Sequence, residues 1–293
     1  MADRSDPRDQ AARLRCWSGP VDPRPVGGGI TNANFRVEDS GEAFFVRIGE
    51  DIPLHGVMRF NEAAASRAAS AAGLSPEVVH QEPGALVLRF VEGQPLEASD
   101  LRKPETLERA LTLVQRAHAE LPRHLHGPTL AFWVFHVLRD YAHTLRSDES
   151  PIARELPRLL AAAETLERAV GPVDLVFGHN DLLAANFLDD GKRLWLIDWE
   201  YGGWGSPLFD LGGLASNNGL SVDQETWMLE AYFGHCDDGR RRAYAAMKCA
   251  SLLRETLWSA VSEVHSTLDF DYAGYTAENA ARFDAAFSGF RDS

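Results

Sequence analysis

The spacing of hydrophobic and polar residues divides the chain into two parts. In the first third, the runs RPVGGGITNANFRVE and GEAFFVRIGE predict strands, with the turn DSGE between the second and third strands. The run RFNEAAASRAASAAGL predicts a helix that ends at Gly73. The run EVVHQEPGALVLRFVEG predicts two more strands joined at EPG. This part is therefore predicted to be β-rich, with one helix.

In the rest of the chain, the apolar residues recur mainly at the spacing of α-helices. Three runs have apolar residues at helical spacing, and they are separated by loops that contain proline and glycine: KPETLERALTLVQRAHAEL, TLAFWVFHVLRDYAHTLRS and PIARELPRLLAAAETLERAV. The short apolar runs DLVFGHNDLLAANFLD and RLWLIDWEY interrupt them, and helices resume from about Gln224. We therefore predict an α+β chain with a small β-rich lobe over 1–92, a joint near Val91 to Gly93, and a larger, mainly helical lobe over 93–293.

Composition and charge narrow the classes of partner. The chain of 293 residues has 43 acidic and 29 basic side chains, and its formal net charge is −14. Because it lacks a basic stripe, nucleic acid is not an expected partner. An acidic surface is better suited to attracting metal ions or a cationic small molecule, although acidity can also serve solubility alone.

The cysteines and the lengths of the apolar runs indicate the cellular compartment in which the protein is expected. Cys16, Cys236 and Cys249 are an odd number and widely spaced, which argues against a disulfide framework or a zinc site and favours a reducing cytoplasm. The longest apolar runs are shorter than a membrane span, and the N-terminal residues lack the apolar region of a secretory signal. We therefore expect a cytoplasmic protein without membrane insertion. Its oligomeric state is not predicted, and a monomer and a homodimer are both compatible with the sequence.

The run VFGHNDLLAANFLDDGKRLWLIDWEY places His179, Asp181, Asn186, Asp198 and Glu200 close together among apolar neighbours. Buried carboxylates are costly unless they are paired or bound to a metal, so this run predicts either an ion-pair network or a phosphate and metal site. Phosphoryl transfer needs a group that orients the attacking hydroxyl and oxygen ligands for Mg²⁺. Asp181 could serve the first role, and Asn186 and Asp198 the second.

Two features upstream support the second interpretation. The run VGGGITNANF places glycines between strands, where backbone N–H groups could approach phosphates, although it lacks the lysine of a P-loop and could be a plain hairpin. Arg47 lies between apolar residues of a predicted strand and needs a partner, which Glu62 on the next helix could supply. The pair could position ATP phosphates, or it could be an ordinary salt bridge. The candidate nucleotide contacts in the loop are Gly28, Gly29, Thr31, Asn32 and Asn34.

Several motifs together resemble one known superfamily. HNDLLAANFL followed by LIDWEY resembles the HxDxxxxN and Asp motifs of choline/ethanolamine kinases and aminoglycoside phosphotransferases. EYGGWGSPLFDLG is similar to the continuation in bacterial choline kinase-like proteins, GGGITNANFRV to the nucleotide loop, and LWSAVSEVHSTLDFDYAGY to the substrate region of choline kinases. The resemblance runs from about residue 24 to 285. It implies a protein-kinase-like bilobal fold that uses ATP and Mg²⁺.

The resemblance also implies a role for each matching residue. Asp181 matches the catalytic base, and Asn186 and Asp198 match the metal ligands. Arg47 matches the cation that contacts the phosphates. Phe90–Glu92 matches the hinge whose backbone meets adenine.

The acceptor side of the resemblance contains one departure. Glu200 and Tyr201 match residues that face the acceptor in choline kinases, and Trp258 matches one tryptophan of the C-terminal cage. Three residues earlier, where the family often has a second tryptophan, this chain has Glu255. A primary ammonium has three N–H donors that suit carboxylates, so Glu255 predicts a preference for ethanolamine or another primary or secondary amino alcohol. Alternatively, Glu255 is exposed or salt-bridged to Arg254.

The predicted function is ATP-dependent phosphorylation of the hydroxyl of a small amino alcohol: choline, ethanolamine or a relative. A kinase acting on an aminoglycoside or on another cationic alcohol is the alternative within the class. A nucleotide-binding pseudokinase that acts through a partner is the alternative from another class. The sequence argues against the pseudokinase, because the base, both metal ligands and the phosphate cation are all present.

Overall fold

The computed structural model describes residues 6–27, 32–148, 150–266, 268 and 270–292. Within them, a small lobe is built on an antiparallel sheet of five strands, and a larger lobe is built mainly from helices. The predicted fold class, an α+β bilobal chain, is confirmed.

The small lobe follows the predicted order of strands and helix. Its sheet has the strand order β1-β2-β3-β5-β4. The alternation of Phe35 and Val37 on β2 with polar neighbours places the two apolar side chains in the core beneath the sheet. The elements are α1 (Pro7–Ala12), β1 (Arg24–Pro25), β2 (Ala33–Asp39), β3 (Glu42–Ile48), α2 (Arg59–Ala71), β4 (Val78–Glu82) and β5 (Ala85–Arg89).

One helix of the small lobe was not predicted. Helix α1 is six residues long and begins after Asp6, whose side chain accepts a hydrogen bond from the backbone N–H of Arg8. Ala11 is buried in the same core as the strands. Because the helix is short and buries few residues, its hydrophobic period is too brief to be read from the sequence.

The large lobe is organised around α9, a helix of 28 residues that packs against α5, α6, α7 and α10. Its helices are α3 (Ala98–Leu101), α4 (Pro104–Glu120), α5 (Val134–Ser147), α6 (Leu156–Val170), α7 (Pro207–Asn218), α8 (Val222–Phe233), α9 (Asp238–His265) and α10 (Tyr272–Asp292). Its short strands are β6 (Gln94–Pro95), β7 (Val176–Gly178), β8 (Phe187–Asp189), β9 (Leu194–Leu196) and β10 (Gly203–Gly205).

Helices resume earlier than the sequence predicted. Helix α7 begins at Pro207, whereas the prediction placed the next helix from about Gln224. Ser206 caps α7 by accepting a hydrogen bond from the N–H of Leu208, and the proline occupies the first turn. The helix is buried on nearly all sides, so it lacks the polar face that makes a helical period visible.

Helix α2 connects the lobes. Its alanine face, with Ala65, Ala68 and Ala69, belongs to the core of the large lobe rather than to the core beneath the sheet. The approach is close: a Cβ placed on Gly202 would lie 3.1 Å from the Cβ of Ala65. Small residues therefore let α2 reach the loop after β9, and Glu62, on the same helix, is held between the lobes.

Candidate active site

Arg47, on β3, is buried and contacts three carboxylates. Its Nη1 hydrogen-bonds to Glu62, its Nη2 donates to Oδ1 of Asp198 at 2.8 Å, and Nη1 lies 3.7 Å from Oε2 of Glu200. Burial opposes the guanidinium charge, but the carboxylates of Asp198, Glu62 and Glu200 outweigh it and raise the pKa of Arg47 above its ordinary value. The predicted contact between Arg47 and Glu62 is present, and it joins a larger network.

A second arginine, which no sequence motif had indicated, completes this network. Arg59 Nη1 donates to Oε2 of Glu62 at 2.6 Å and lies 3.4 Å from Oε2 of Glu200, and its Nη2 donates to Oδ1 of Asn32 at 2.5 Å. Asn32 in turn donates from Nδ2 to Glu200 at 3.2 Å. Burial raises the pKa of Glu200, and the negative charge of Asp198 nearby raises it further. The three-residue spacing of Arg59 and Glu62 on one helix was the available signal.

The residues predicted to contact the nucleotide are only partly described. Three of them lie outside the described residues: Gly28, Gly29 and Thr31. Asn34, on β2, stands directly opposite Arg47 on β3. Phe90 donates its backbone N–H to the carbonyl of Ala43 at 2.9 Å, and Val91 follows directly after it, past the end of β5. The candidate hinge therefore leaves the sheet at the edge of the small lobe.

The loop that contains Asp181 is held by Asp210, a buried residue of α7 that lies within the motif EYGGWGSPLFDLG and had no predicted role. Asp210 accepts hydrogen bonds from the backbone N–H groups of His179 (2.8 Å) and Asn180 (2.6 Å) and from Nε2 of His118 (2.8 Å). Burial would raise the pKa of Asp210, but the hydrogen bond and charge of His118 outweigh it and lower the pKa. Asn180 has a φ of 64°, a left-handed conformation that needs such support.

Asn186 and Asp198 are brought together by the backbone. The 3-10 helix Ala184–Asn186 turns Asn186 inward, and its Nδ2 donates to the backbone oxygen of Asp181 at 2.8 Å. That bond leaves Oδ1 as the carboxamide atom that could bind a cation. The N–H of Ile197 donates to the carbonyl of Asn186 at 2.9 Å, which places Asp198 next to it in the left-handed conformation, with a φ of 68°.

Asp181 faces a third arginine, Arg254 of α9. Nη1 of Arg254 lies 3.4 Å from Oδ1 of Asp181 and donates to Oε1 of Glu255 at 2.5 Å. Burial raises the pKa of Asp181 above its ordinary value; the Arg254 charge opposes this shift and the Glu255 charge adds to it. From the sequence, Arg254 was expected only as an alternative salt-bridge partner of Glu255, and the two side chains are paired in the structure.

The predicted acceptor residues divide between two places. Tyr201, Trp258 and Glu255 lie together: Trp258 Nε1 donates to the hydroxyl of Tyr201 at 3.1 Å, and the hydroxyl of Tyr275 donates to Oε2 of Glu255 at 3.1 Å. Glu255 is buried, so it is not the exposed residue of the alternative interpretation. Glu200 lies instead in the network of Arg47, although its chain neighbour is Tyr201.

A cavity of about 180 Å³ opens between the lobes beside Tyr201. Its walls include residues 54–56 of the small lobe, parts of 130–141 in the large lobe, and Glu200–Gly202. Since a water molecule takes roughly 30 Å³, the cavity has room for a small organic molecule.

The helices that the structure describes are too short or too polar to cross a membrane. The three cysteines are free thiols.

Comparison with known proteins identifies the class to which this fold and site belong. Residues 22–248 match the model of the phosphotransferase enzyme family, and the chain belongs to this family. Protein LicA of Haemophilus influenzae is 28% identical over 272 residues, which cover 88% of this chain and 97% of the relative. Ethanolamine kinase 2 of Mus musculus is 29% identical over 285 residues, which cover 84% of this chain and 71% of the relative.

Solved structures agree in fold. A choline/ethanolamine kinase family protein from Mesorhizobium loti has 28% identity and a TM-score of 0.77, with 98% of each chain covered. The choline kinase LicA from Streptococcus pneumoniae has 21% identity and a TM-score of 0.78, with 92% of this chain and 94% of the other covered; this likeness concerns the fold. The resemblance inferred from the motifs is thereby confirmed.

Proposed function

We propose that this protein transfers the γ-phosphoryl group of ATP to the hydroxyl of a small amino alcohol: choline, ethanolamine or a relative. The observation that carries the proposal is the grouping of Asp181, Asn186 and Asp198 beside Arg47 at the junction of the lobes. Together these residues supply the groups that phosphoryl transfer requires. Relatives named as ethanolamine kinases support the acceptor class.

The phosphate side would hold ATP and Mg²⁺. Arg47 presents a guanidinium to the phosphates from the sheet, and Glu62 fixes its orientation. Oδ1 of Asn186 and the carboxylate of Asp198, whose side chain is 25% exposed, fit Mg²⁺, which takes one or two protein oxygen ligands and completes its coordination with phosphates and waters. When bound, the ion would offset the negative charge of the transferring group.

Asp181 would orient the acceptor hydroxyl and accept its proton. Burial keeps the pKa of this carboxylate above its ordinary value, which brings its basicity closer to what a general base needs near neutral pH. Its loop is fixed by Asp210 through two backbone N–H groups. Such bracing keeps the carboxylate in a productive position without requiring that Asp210 touch the substrate.

The acceptor would enter beside Tyr201, through the cavity between the lobes. The net charge of −14 and the carboxylates of Asp181 and Glu200 favour a cationic molecule over a neutral one.

Free thiols at all three cysteines and the use of ATP are consistent with a cytoplasmic enzyme.

The test is ADP release by the purified protein with Mg²⁺ and ATP, using choline, ethanolamine, their methylated intermediates and kanamycin as acceptors. We expect saturable turnover on at least one amino alcohol and none above background on kanamycin. D181N, which keeps the size of the side chain, is the control for contaminating activity. Saturable turnover on kanamycin alone would move the function to the aminoglycoside branch; no turnover on any acceptor would contradict the proposal.

A further inference from the structure

Arg254 occupies the surface that a cationic acceptor would be expected to use. Its side chain is buried, and its Cζ atom lies 4.4 Å from the centroid of the Tyr201 ring. A cation within about 6 Å of an aromatic face is attracted by the ring quadrupole. The Tyr201 face next to the candidate base Asp181 is therefore already covered by a cation that belongs to the protein.

The aromatic side chains around Tyr201 are also in contact with one another. The Trp258 ring lies 5.5 Å from the imidazole of His55, 6.2 Å from Tyr272 and 6.4 Å from Tyr275, measured between centroids. A quaternary ammonium depends on aromatic faces because it has no N–H donor. Arg254 takes the face of Tyr201 and adds a like charge beside it, so such a group would lose attraction and meet repulsion.

A contribution to the stability of the fold does not explain why a buried arginine stands at position 254. Nη1 is satisfied by Glu255 and Asp181, but Nε and Nη2 are buried and have no hydrogen-bond partner among the described residues. Unpaired buried donors destabilise a fold, and an apolar side chain would fill the same space without that cost. A half-satisfied guanidinium next to the candidate base is more readily explained by a role in the site.

We propose that Arg254 is a specificity-determining residue of the acceptor site. By covering Tyr201 with an internal cation, it selects amino alcohols whose ammonium retains N–H donors over those with a quaternary ammonium. A primary ammonium tolerates the nearby guanidinium because it can donate to carboxylates: Asp181 lies 3.4 Å from Nη1 of Arg254, and Glu200 lines the cavity beside Tyr201. This inference rests on the proposed function, and it names the acceptor preference within it.

The main test is the ratio of kcat/KM for ethanolamine to kcat/KM for choline. Each ratio is measured within one protein sample, so a loss of folded or active protein cancels. We expect the wild type to favour ethanolamine and R254M to shift the ratio toward choline by about tenfold, which is about 1.4 kcal/mol. R254K keeps a cation and should leave the ratio within about threefold of the wild type. A purely structural arginine would lower both values together, and an unchanged ratio in R254M would overturn the proposal.

Two further arms keep the test decisive. R254Q retains donors for Glu255, so it replaces R254M if circular dichroism shows that R254M is unfolded, with the same expected shift. Calorimetric binding of tetramethylammonium and methylammonium needs no turnover. We expect R254M, but not R254K, to gain affinity for tetramethylammonium relative to methylammonium. Equal relative affinities in the wild type and R254M would overturn the role of Arg254. Absence of turnover on amino alcohols by the wild type would instead overturn the proposed function.

Discussion

Two buried arginines, Arg47 and Arg254, organise different parts of the candidate active site in different ways. Arg47 lies on a strand of the small lobe and reaches carboxylates on α2 and on the loop after β9, so its ion pairs join the lobes. Arg254 lies on α9 and pairs with its own chain neighbour Glu255 and with Asp181, within the large lobe. We infer that the first arrangement couples the position of the lobes to phosphate binding, and that the second shapes the surface that would receive the acceptor.

The two clusters share an excess of negative charge. Among the described residues, the contacts around Arg47 and Arg59 include three carboxylates, those of Glu62, Asp198 and Glu200. The contacts of Arg254 include two carboxylates for one guanidinium. Within the part of the chain that the structure describes, each of these sets of ion pairs therefore has one more carboxylate than it has guanidinium groups. Such an imbalance favours an external cation in both places, and we infer a metal ion in the first and the ammonium of the acceptor in the second.

The largest effect is expected for D181N. This change should lower turnover, which depends on Asp181 beside Arg254, and should leave ATP binding near Arg47 almost unchanged. Loss of the base should lower kcat by about 10²–10⁴-fold, the range of general base catalysis. ATP affinity should change less than about threefold, because Asp181 does not contact Arg47. Steady-state kinetics and calorimetric titration with a non-hydrolysable nucleotide measure both quantities. Near-normal turnover would show that the role assigned to Asp181 is wrong.

The second prediction concerns R47M. It leaves the buried carboxylate of Glu62 with only part of its pairing, so we expect a loss of about 3–5 kcal/mol in the free energy of unfolding, measured in urea. The matched control is R158M, which removes the exposed ion pair between Arg158 and Asp284 and should cost less than about 1 kcal/mol. Equal losses in the two variants would mean that the Arg47 network contributes nothing beyond a surface ion pair.

The third prediction concerns D210N. Asn presents one acceptor oxygen and one NH2 group where the two carboxylate oxygens now accept three hydrogen bonds, so at least one N–H loses its partner. We expect a loss of about 1.5–3 kcal/mol in unfolding free energy and a fall in kcat of about tenfold or more, because the Asp181 loop loses its anchor. D284N, at an exposed site, is the control for unfolding. Full activity in a destabilised D210N protein would argue that the loop is fixed by other contacts.

The smallest effect is a pH dependence that His55 adds near Arg254. Burial first, and then the charge of Arg254, lowers the pKa of His55 to about 3, from 6.5 for an unperturbed histidine. Between these values the unfolded chain binds a proton that the folded chain does not, so stability falls as the pH is lowered from about 6.5. From pH 6.5 to 5 the His55 contribution is about 2 kcal/mol at most.

Urea unfolding of the wild type and H55Q at pH 7 and pH 5 checks this prediction. H55Q keeps a side chain that can hydrogen-bond to Tyr141 and Ser262, which His55 contacts at 3.2 Å. We expect the wild type to lose more stability than H55Q on acidification. The same loss in both proteins would mean that other groups account for the pH dependence.

Sequence patterns predicted most of the elements around the site. The alternation of apolar and polar residues predicted β2 and β3, and the helical period predicted α2. Arg47 and Glu62 were thereby placed on consecutive elements, and the structure shows their ion pair. The short loop between β7 and β8 likewise placed Asp181 and Asn186 within one turn of each other. These predictions succeeded because local period and short separations constrain the backbone strongly.

Other features required the folded chain. Helix α7 escaped prediction because it is buried on nearly all sides, so the role of Asp210 beneath the Asp181 loop was missed. Glu255 was expected to face the acceptor, to be exposed or to pair with Arg254, and these three environments are equally compatible with its position on a helix. Arg254 itself has no distinguishing pattern, since an arginine on a helix is ordinarily a surface residue.

The sequence by itself determined the class of fold, the order of the motifs and the residues that could carry phosphoryl transfer. Only the tertiary structure decided which charges meet: Arg47 pairs with Asp198 across 151 positions, and Arg254 with Asp181 across 73. The physical reason is that local period fixes which face of an element is buried, whereas a buried charge is satisfied by whichever opposite charge the packing brings within a few ångströms. With 29 basic and 43 acidic side chains available, that choice belongs to the packing of the two lobes.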